Sequence, residues 1–381
     1  MLALIALLSL HQEPPKRLLM VHTMPWYEAK PVSKEWGWHW TMGKLDPDKG
    51  EVASHYRPLI GLYDSGDPFA VECQILLMKF AGIDGVFVDW YGDREQYDYL
   101  PNHRHTALIF EAAKRAGLKF ALVYEDQTVP QLVKGGRFEE KDAVEEGRLL
   151  MERTQKTWFR SPVYLKKDGK PVLLVFGPQY YKEEAQWQRM FEPLDPKPAF
   201  FTLHHRRLDT ALGAYDWPLP EGGNEAAAEK RARFAKESKE WPASIPVAYP
   251  RFHDFYKEAG LHDSYGKVED SDGKTYETTL TEALSTPSDI VQIATWNDYG
   301  EGTQIEPTEQ LGYRDLETTQ RLRRRHLGAM PYSPSDLRLP VRLYKLRKAG
   351  VDAAKTKAIS DLLFAGKLKE AAKRLSALEN R

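Results

Sequence analysis

The stretch AGIDGVFVDWYG at residues 81–92 decides the fold, because a helix ends in it and a buried strand begins. Gly82 closes an apolar helical pattern that opens at Asp67-Pro68, where an aspartate N-cap precedes a proline at the first helical position. The run Gly85–Trp90 then carries no polar alternation until its last residues, as expected of a strand covered on both faces. The unit recurs at AGLKFALVY, residues 116–124, with its Ala-Gly junction 35 residues further on, about the length of one βα repeat.

Similar strands are expected at Leu18–His22, Pro171–Phe176, Ala199–Leu203, Ile245–Tyr249 and Ile290–Trp296, with a weaker one at Gly213–Trp217. That makes eight. Eight apolar strands interleaved with helices predict an α/β fold of the (β/α)8 barrel type. A doubly wound open sheet would want a glycine-rich turn after its first strand, and the chain has Met24-Pro25-Trp26-Tyr27 there. The expected fifth and sixth strands lie too close together for an intervening helix, so the barrel should be irregular at that point. The barrel is expected to span residues 16–335. Residues 1–15 are expected to be a signal or an N-terminal tail, and residues 336–381 a C-terminal helical extension, with two short amphipathic helices broken near Gly366.

Composition narrows the function. Lys plus Arg number 54 against 55 Asp plus Glu, a net charge of −1, so there is no basic excess to neutralise a nucleic-acid backbone. The single cysteine, Cys73, falls among Val71, Ile75 and Leu76 in the helix that opens at Pro68 and reads as packing. Leu2–Leu10 is too short to cross a bilayer. It suits the apolar part of an export signal, which would place the protein in the periplasm or outside the cell. It equally suits a greasy N-terminus of a cytoplasmic protein. Neither stable membrane insertion nor a cofactor is expected, and the sequence leaves the oligomeric state open.

In a (β/α)8 barrel the chemistry lies at the carboxyl ends of the strands. The residues expected there are Trp26, Tyr27, His39, Trp40, Asp89, Trp90, Tyr91, Glu125, Asp126, Gln179, Tyr180, Asp216, Trp217, Arg251, Trp296 and Asn297. Seven of the ten tryptophans, at 26, 36, 38, 40, 90, 217 and 296, map to that face. Aromatic faces stack on sugar C–H faces while carboxylates and amides bind hydroxyls, so the mixture suits a carbohydrate. The segment TWNDYGEGTQIEP, residues 295–307, adds Asp298 and Glu301 on a loop with a glycine on each side of Glu301. Hydrolysis of a glycosidic bond needs two such carboxyl groups, one as acid and one as base or nucleophile. Spacing alone leaves catalysis and a capping or solvated loop about evenly matched.

This segment resembles the motifs of two glycoside hydrolase families. WNDYGE is similar to the end-of-barrel motif of family 71, the α-1,3-glucanases, and EGTQIEP to that of family 99, the endo-α-1,2-mannosidases and mannanases. Met24–Tyr27, His39-Trp40, Pro58–Pro68, Ala81–Gly92 and Tyr124–Asp126 extend the resemblance from about residue 18 to residue 310. It implies a metal-free (β/α)8 enzyme cutting within α-linked glycans, with Glu301 as general acid, Asp298 as general base and Glu125 in contact with sugar hydroxyls. Family 99 has Glu where this chain has Asp298. There the base takes a proton from the substrate's own 2-hydroxyl with retention, whereas the shorter aspartate matches family 71, where it activates water and inverts. Two rivals stay open: a non-catalytic glycan-binding barrel, and a metal-dependent hydrolase drawing on His22, His39, His103, His105, His204, His205 and His253.

Overall fold

The computed structural model describes residues 17–379. The expectations for Leu2–Leu10 and the 1–15 tail lie outside the described residues. Eight staves close a barrel from nine strand segments: β1 (Leu18–Thr23), β2 (Gly85–Trp90), β3 (Lys119–Tyr124), β4 (Lys170–Val175), β5 (Ala199–Leu203), β6 (Gly213–Tyr215), β7 (Ala243–Ile245), β8 (Val247–Ala248) and β9 (Ile290–Ile293). Each is parallel to its neighbours, and the ring closes where β9 pairs with β1 through Leu18↔Ile290 and with β8 through Gln292↔Val247.

The seventh stave is interrupted. The sequence suggests one strand over Ile245–Tyr249, but β7 pairs with β6 and β8 with β9, with Pro246 between them. Proline has no N–H to donate to a ladder, and its carbonyl instead accepts from Gln292 N at 3.0 Å. The connection between β5 and β6 contains no helix, as the short spacing requires. Strand β9 ends at Ile293 rather than Trp296, which leaves Thr295–Glu306 free to fold back over the barrel mouth.

The helices of eight or more residues are α1 (Pro68–Ala81), α2 (Tyr99–Ala116), α3 (Ala143–Thr154), α4 (Glu184–Phe191), α5 (Gly223–Glu237), α6 (Lys274–Ser285), α7 (Arg314–Leu327), α8 (Arg338–Lys348), α9 (Ala353–Phe364) and α10 (Leu368–Glu379). In α1 the Asp67 side chain accepts from Phe69 N at 2.8 Å, and Gly82 takes the left-handed cap. Almost every α1 side chain is buried, because the barrel covers one side of the helix and α8 covers another. Glu72, on α1, accepts from Arg115 Nη1 at 3.0 Å, Arg347 Nη1 at 2.5 Å and Ser360 Oγ at 2.8 Å, so the last helices are bonded to the barrel wall. Cys73 is buried in the same helix.

Candidate active site

The loop after β9 is built from its own polar side chains. Thr295 Oγ1 accepts from Asp298 N at 2.8 Å, and Asp298 Oδ1 accepts from Glu301 N at 2.9 Å. Ile305 N donates to Thr295 O at 3.0 Å, which closes the turn. Gly302 lies at φ 69, and a Cβ there would stand 2.5 Å from His253 O, so only glycine lets the loop approach the 252–258 segment. In return His253 N donates to Glu301 O at 2.8 Å and Phe255 N to Gly300 O at 2.9 Å.

Asn297 ties this loop to the end of β1. Its Oδ1 accepts from Met24 N at 2.8 Å, and its Nδ2 donates to Met24 O and to Tyr63 Oη, both at 2.9 Å. Beneath it Tyr27 Oη donates to Asn297 O at 2.8 Å and accepts from Tyr299 N at 3.0 Å. Glu306 accepts from Tyr63, Tyr299 and Gln74, and burial pushes its carboxyl up to about 7. These groups hold the loop.

A cavity of about 560 Å³ opens at the carboxyl ends of the strands, and Asp298 and Glu301 both line it. Burial raises both carboxyls, to different extents. Asp298 reaches about 6, because the N–H groups of Glu301 and Gly300 stabilise its charged form. Glu301 is pushed well above the usual carboxylate range, first by burial and then by the neighbouring charges of Asp298, Asp254 and Glu125. Its Oε2 is shielded from solvent and has no partner. Of the two, Glu301 is thus the weaker acid and Asp298 the stronger, the order that an acid beside a base requires.

The floor of the cavity is polar and unpartnered. His22 is fully buried with neither ring nitrogen bonded, and burial lowers it to about 3, so the ring is neutral. Its Nε2 lies 3.9 Å from Asp89 Oδ1, and the Asp89 oxygens meet the Glu125 carboxyl and no other donor. Burial drives the Asp89 and Glu125 carboxyls well above their ordinary range, and the charge of Asp89 raises Glu125 further. Gln127 Nε2 donates to Glu125 Oε2. The walls are aromatic: Trp26 stacks on His39 at 4.1 Å, Tyr91 lies 6.2 Å from Trp26, and Trp217 meets the His22 ring edge-on at 4.6 Å.

Of the residues expected from sequence, the cavity brings together Trp26, His39, Asp89, Tyr91, Glu125, Trp217, Asp298 and Glu301. The others do not line it. Tyr27 and Asn297 support the loop, as described above, and Trp40 is buried with its Nε1 on Tyr63 O at 2.9 Å. Trp90 packs edge-on against Trp158 at 5.6 Å, and Trp296 is fully buried. Only three of the seven tryptophans mapped to this face, Trp26, Trp38 and Trp217, reach the cavity. Indole is large enough to fill the space between strand ends and helices, so being near the mouth does not put the ring in it.

The polar residues that miss the cavity brace loops. Asp126 accepts from the backbone N–H groups of Gln179, Tyr180 and Tyr181 at 2.8–3.0 Å, which turns Gln179 and Tyr180 away with their loop. Asp216 accepts from Trp217 N at 3.0 Å and lies 3.4 Å from His204 Nδ1. Arg251 is buried, donating to Asp315 Oδ2 at 2.8 and 3.0 Å and to Gln304 O at 3.0 Å, so its charge is satisfied within the protein.

His22, Tyr256 and Tyr265 line the cavity and were not among the expected contacts. From sequence His22 is read only as a candidate metal ligand, because it sits inside a strand and not after one. The two tyrosines lie on the 249–273 excursion, whose sequence FYKEAG and DSYG carries aromatics in a loop and so offered a signal. Of the histidines of the metal rival, His22, His39 and His204 line the cavity, whereas His103 Nδ1 lies 3.2 Å from Trp90 Nε1 and His105 Nδ1 lies 2.7 Å from Pro25 O. Among the described residues one group, in which His253 of that set joins His55 and Glu258, brings ligand atoms together. Its two imidazoles stack at 3.7 Å with planes 8° apart. Nitrogen lone pairs lie in the ring plane, so near-parallel rings do not converge on one ion.

No family model matches the chain. A glycoprotein endo-alpha-1,2-mannosidase-like protein of Danio rerio is 23% identical over 283 residues, 67% of this chain and 60% of the relative. The chain thus spans less than two thirds of the length of that curated relative. Among solved structures, the GH99 endo-alpha-mannosidase from Bacteroides thetaiotaomicron matches with a TM-score of 0.62 at 19% identity, covering 80% of this chain and 94% of its own. The chain shares the GH99 endo-α-mannosidase fold. A glycoside hydrolase-like protein follows at a TM-score of 0.57 and 14% identity, covering 82% of this chain and 94% of that one. The sequence resemblance to family 99 is met by relatives of both kinds, and nothing among those named answers to family 71. Among the described residues no helix is long and apolar enough to cross a membrane.

Proposed function

We propose that the protein is a glycoside hydrolase acting on an α-linked glycan of the α-mannan type, with Glu301 as general acid and Asp298 as general base. The observation that carries this reading is that both carboxyls face one aromatic-walled cavity with their proton affinities set apart. The likeness to endo-α-mannosidases in sequence and fold supports the choice of glycan.

In this reading the protonated Glu301 gives its proton to the glycosidic oxygen as that bond breaks. Asp298, ionised above about pH 6, removes a proton from the group that attacks the anomeric carbon. That group is a water, giving inversion, or the sugar's neighbouring 2-hydroxyl, giving retention. Neutral His22 and the carboxyls of Asp89 and Glu125 supply hydrogen-bond acceptors, and donors where protonated, for ring hydroxyls on the cavity floor. Trp26, Tyr91 and Trp217 offer ring faces and edges to the sugar's C–H groups.

Incubation with α-mannan and with α-1,3-glucan tests the proposal. Release of reducing ends from α-mannan is expected, and NMR of the first-formed anomer distinguishes the two attacking groups. Binding of either polymer without cleavage over long times would overturn the catalytic reading and favour a glycan-binding barrel.

A further inference from the structure

Asp298 takes its place from its two neighbours in the chain, and both are tied to one carboxyl oxygen. Glu306 closes the loop after β9, with its N–H on Trp296 O at 2.9 Å, and it is buried. Its Oε2 accepts from Tyr299 Oη and from Tyr63 Oη, each at 2.9 Å. Tyr299 directly follows Asp298. Tyr63 Oη in turn accepts from Nδ2 of Asn297, the residue before the base, at 2.9 Å. The other oxygen, Oε1, accepts from Gln74 Nε2 at 3.0 Å, which pins the carboxyl to α1.

The backbone fixes the direction of each hydrogen. Met24 N–H needs an acceptor and Met24 O a donor, so the Asn297 amide has one orientation, Oδ1 towards the first and Nδ2 towards the second. Nδ2 gives its second hydrogen to Tyr63, whose own hydrogen is left for Glu306. Tyr299 Oη donates to Glu306 as well. Oε2 thus faces two hydroxyl hydrogens and cannot carry a proton without losing one of these bonds. None of the three donors is charged. Burying a carboxylate among neutral donors is costly, and an apolar side chain of that volume would fill the space without the cost. What the apolar side chain would lack is an oxygen able to take two donors from distant parts of the chain.

We propose that Glu306 is a positioning residue for the general base: its Oε2 anchors the residues on both sides of Asp298 and so fixes where that carboxylate stands in the cavity. This role rests on the hydrolase reading, which makes Asp298 the base. Glu306 itself does not line the cavity, so its effect passes through the backbone of residues 297–299. A displaced base leaves the sugar its contacts with Trp26, Tyr91 and Trp217. Binding is then spared while the chemical step is slowed.

The test compares wild type, Glu306→Leu, Glu306→Gln and Tyr63→Phe on an α-mannooligosaccharide, with folding checked by circular dichroism and kcat and KM taken separately. Glu306→Leu is expected to lower kcat about 10²-fold, the effect of moving a reacting group by about 1 Å, with KM near the wild-type value. Glu306→Gln should restore most of kcat. Its oxygen can take both tyrosine hydrogens while its amide turns to Gln74, whose side chain can rotate to accept. Tyr63→Phe cuts the anchor on Asn297 and should show a smaller loss of kcat, again at unchanged KM; it decides alone if Glu306→Leu does not fold. Wild-type kcat in folded Glu306→Leu or in Tyr63→Phe, a loss carried by KM, or a Glu306→Gln variant as slow as Glu306→Leu overturns the positioning role while the hydrolase reading stands. If wild type itself does not cleave the oligosaccharide, the hydrolase reading falls and the role of Glu306 with it.

Discussion

Replacing Asp298 by asparagine should stabilise the protein, and by an amount that grows with pH. The folded protein holds this carboxyl at about 6 against 3.8 for the free group, because the side chain is buried. A carboxyl whose folded value is raised contributes its stability below the unfolded pKa. That contribution is lost as pH rises toward the folded value, because the unfolded chain sheds the proton first. At about 1.36 kcal/mol per unit, the gap of roughly two units corresponds to about 3 kcal/mol, most of it lost between about pH 4 and pH 7. Asparagine retains an oxygen to accept from Glu301 N and does not titrate. Urea unfolding of wild type and Asp298→Asn across that range, with the difference taken at each pH, should therefore show the variant gaining about 2–3 kcal/mol. A difference independent of pH, or one favouring wild type as pH rises, would refute the claim that this carboxyl is ionised at a cost.

Glu301→Gln and Asp298→Asn should each lower hydrolysis by about 10²–10⁴-fold with the fold intact; activity assays and circular dichroism check this, and wild-type turnover in either would mean that the wrong pair is assigned. Plots of kcat/KM against pH should rise through about pH 6 as Asp298 ionises and fall only well above the usual carboxylate range as Glu301 loses its proton. An acid limb near pH 4 would contradict the first half. Arg251→Ala should cost about 2–3 kcal/mol, because it removes the charge-assisted bonds of one of the two guanidinium groups on the buried Asp315 carboxylate and leaves it Arg314 Nε at 2.9 Å; denaturant midpoints measure it, and an unchanged midpoint with altered substrate preference would return Arg251 to the binding site.

The barrel was legible because its strands lack polar alternation and its helices carry explicit starts and stops, as at Asp67-Pro68 and at Gly82. The break at Pro246 was harder to see, since Ile245–Tyr249 is apolar throughout and only pairing to different neighbours divides it. At the site, Asp298 and Glu301 could be read from one loop motif, but the partition between wall and scaffold could not. Trp40, Trp90 and Trp296 have the residue type of sugar platforms and the locations of packing. Asp126 and Arg251 follow strand ends as catalytic groups do, yet their hydrogen bonds are spent on neighbouring loops. Which way a side chain points depends on contacts made by residues far along the chain, and position after a strand does not encode it.

The bond from Met24 N to Asn297 Oδ1 joins residues 273 positions apart. The loop that carries Asp298 therefore acquires its setting only when the first and last staves have met, and in the proposed reading turnover reports on ring closure. A fragment that stops before the final stave lacks both Asp298 and Glu301, so in the proposed reading it has no acid–base pair.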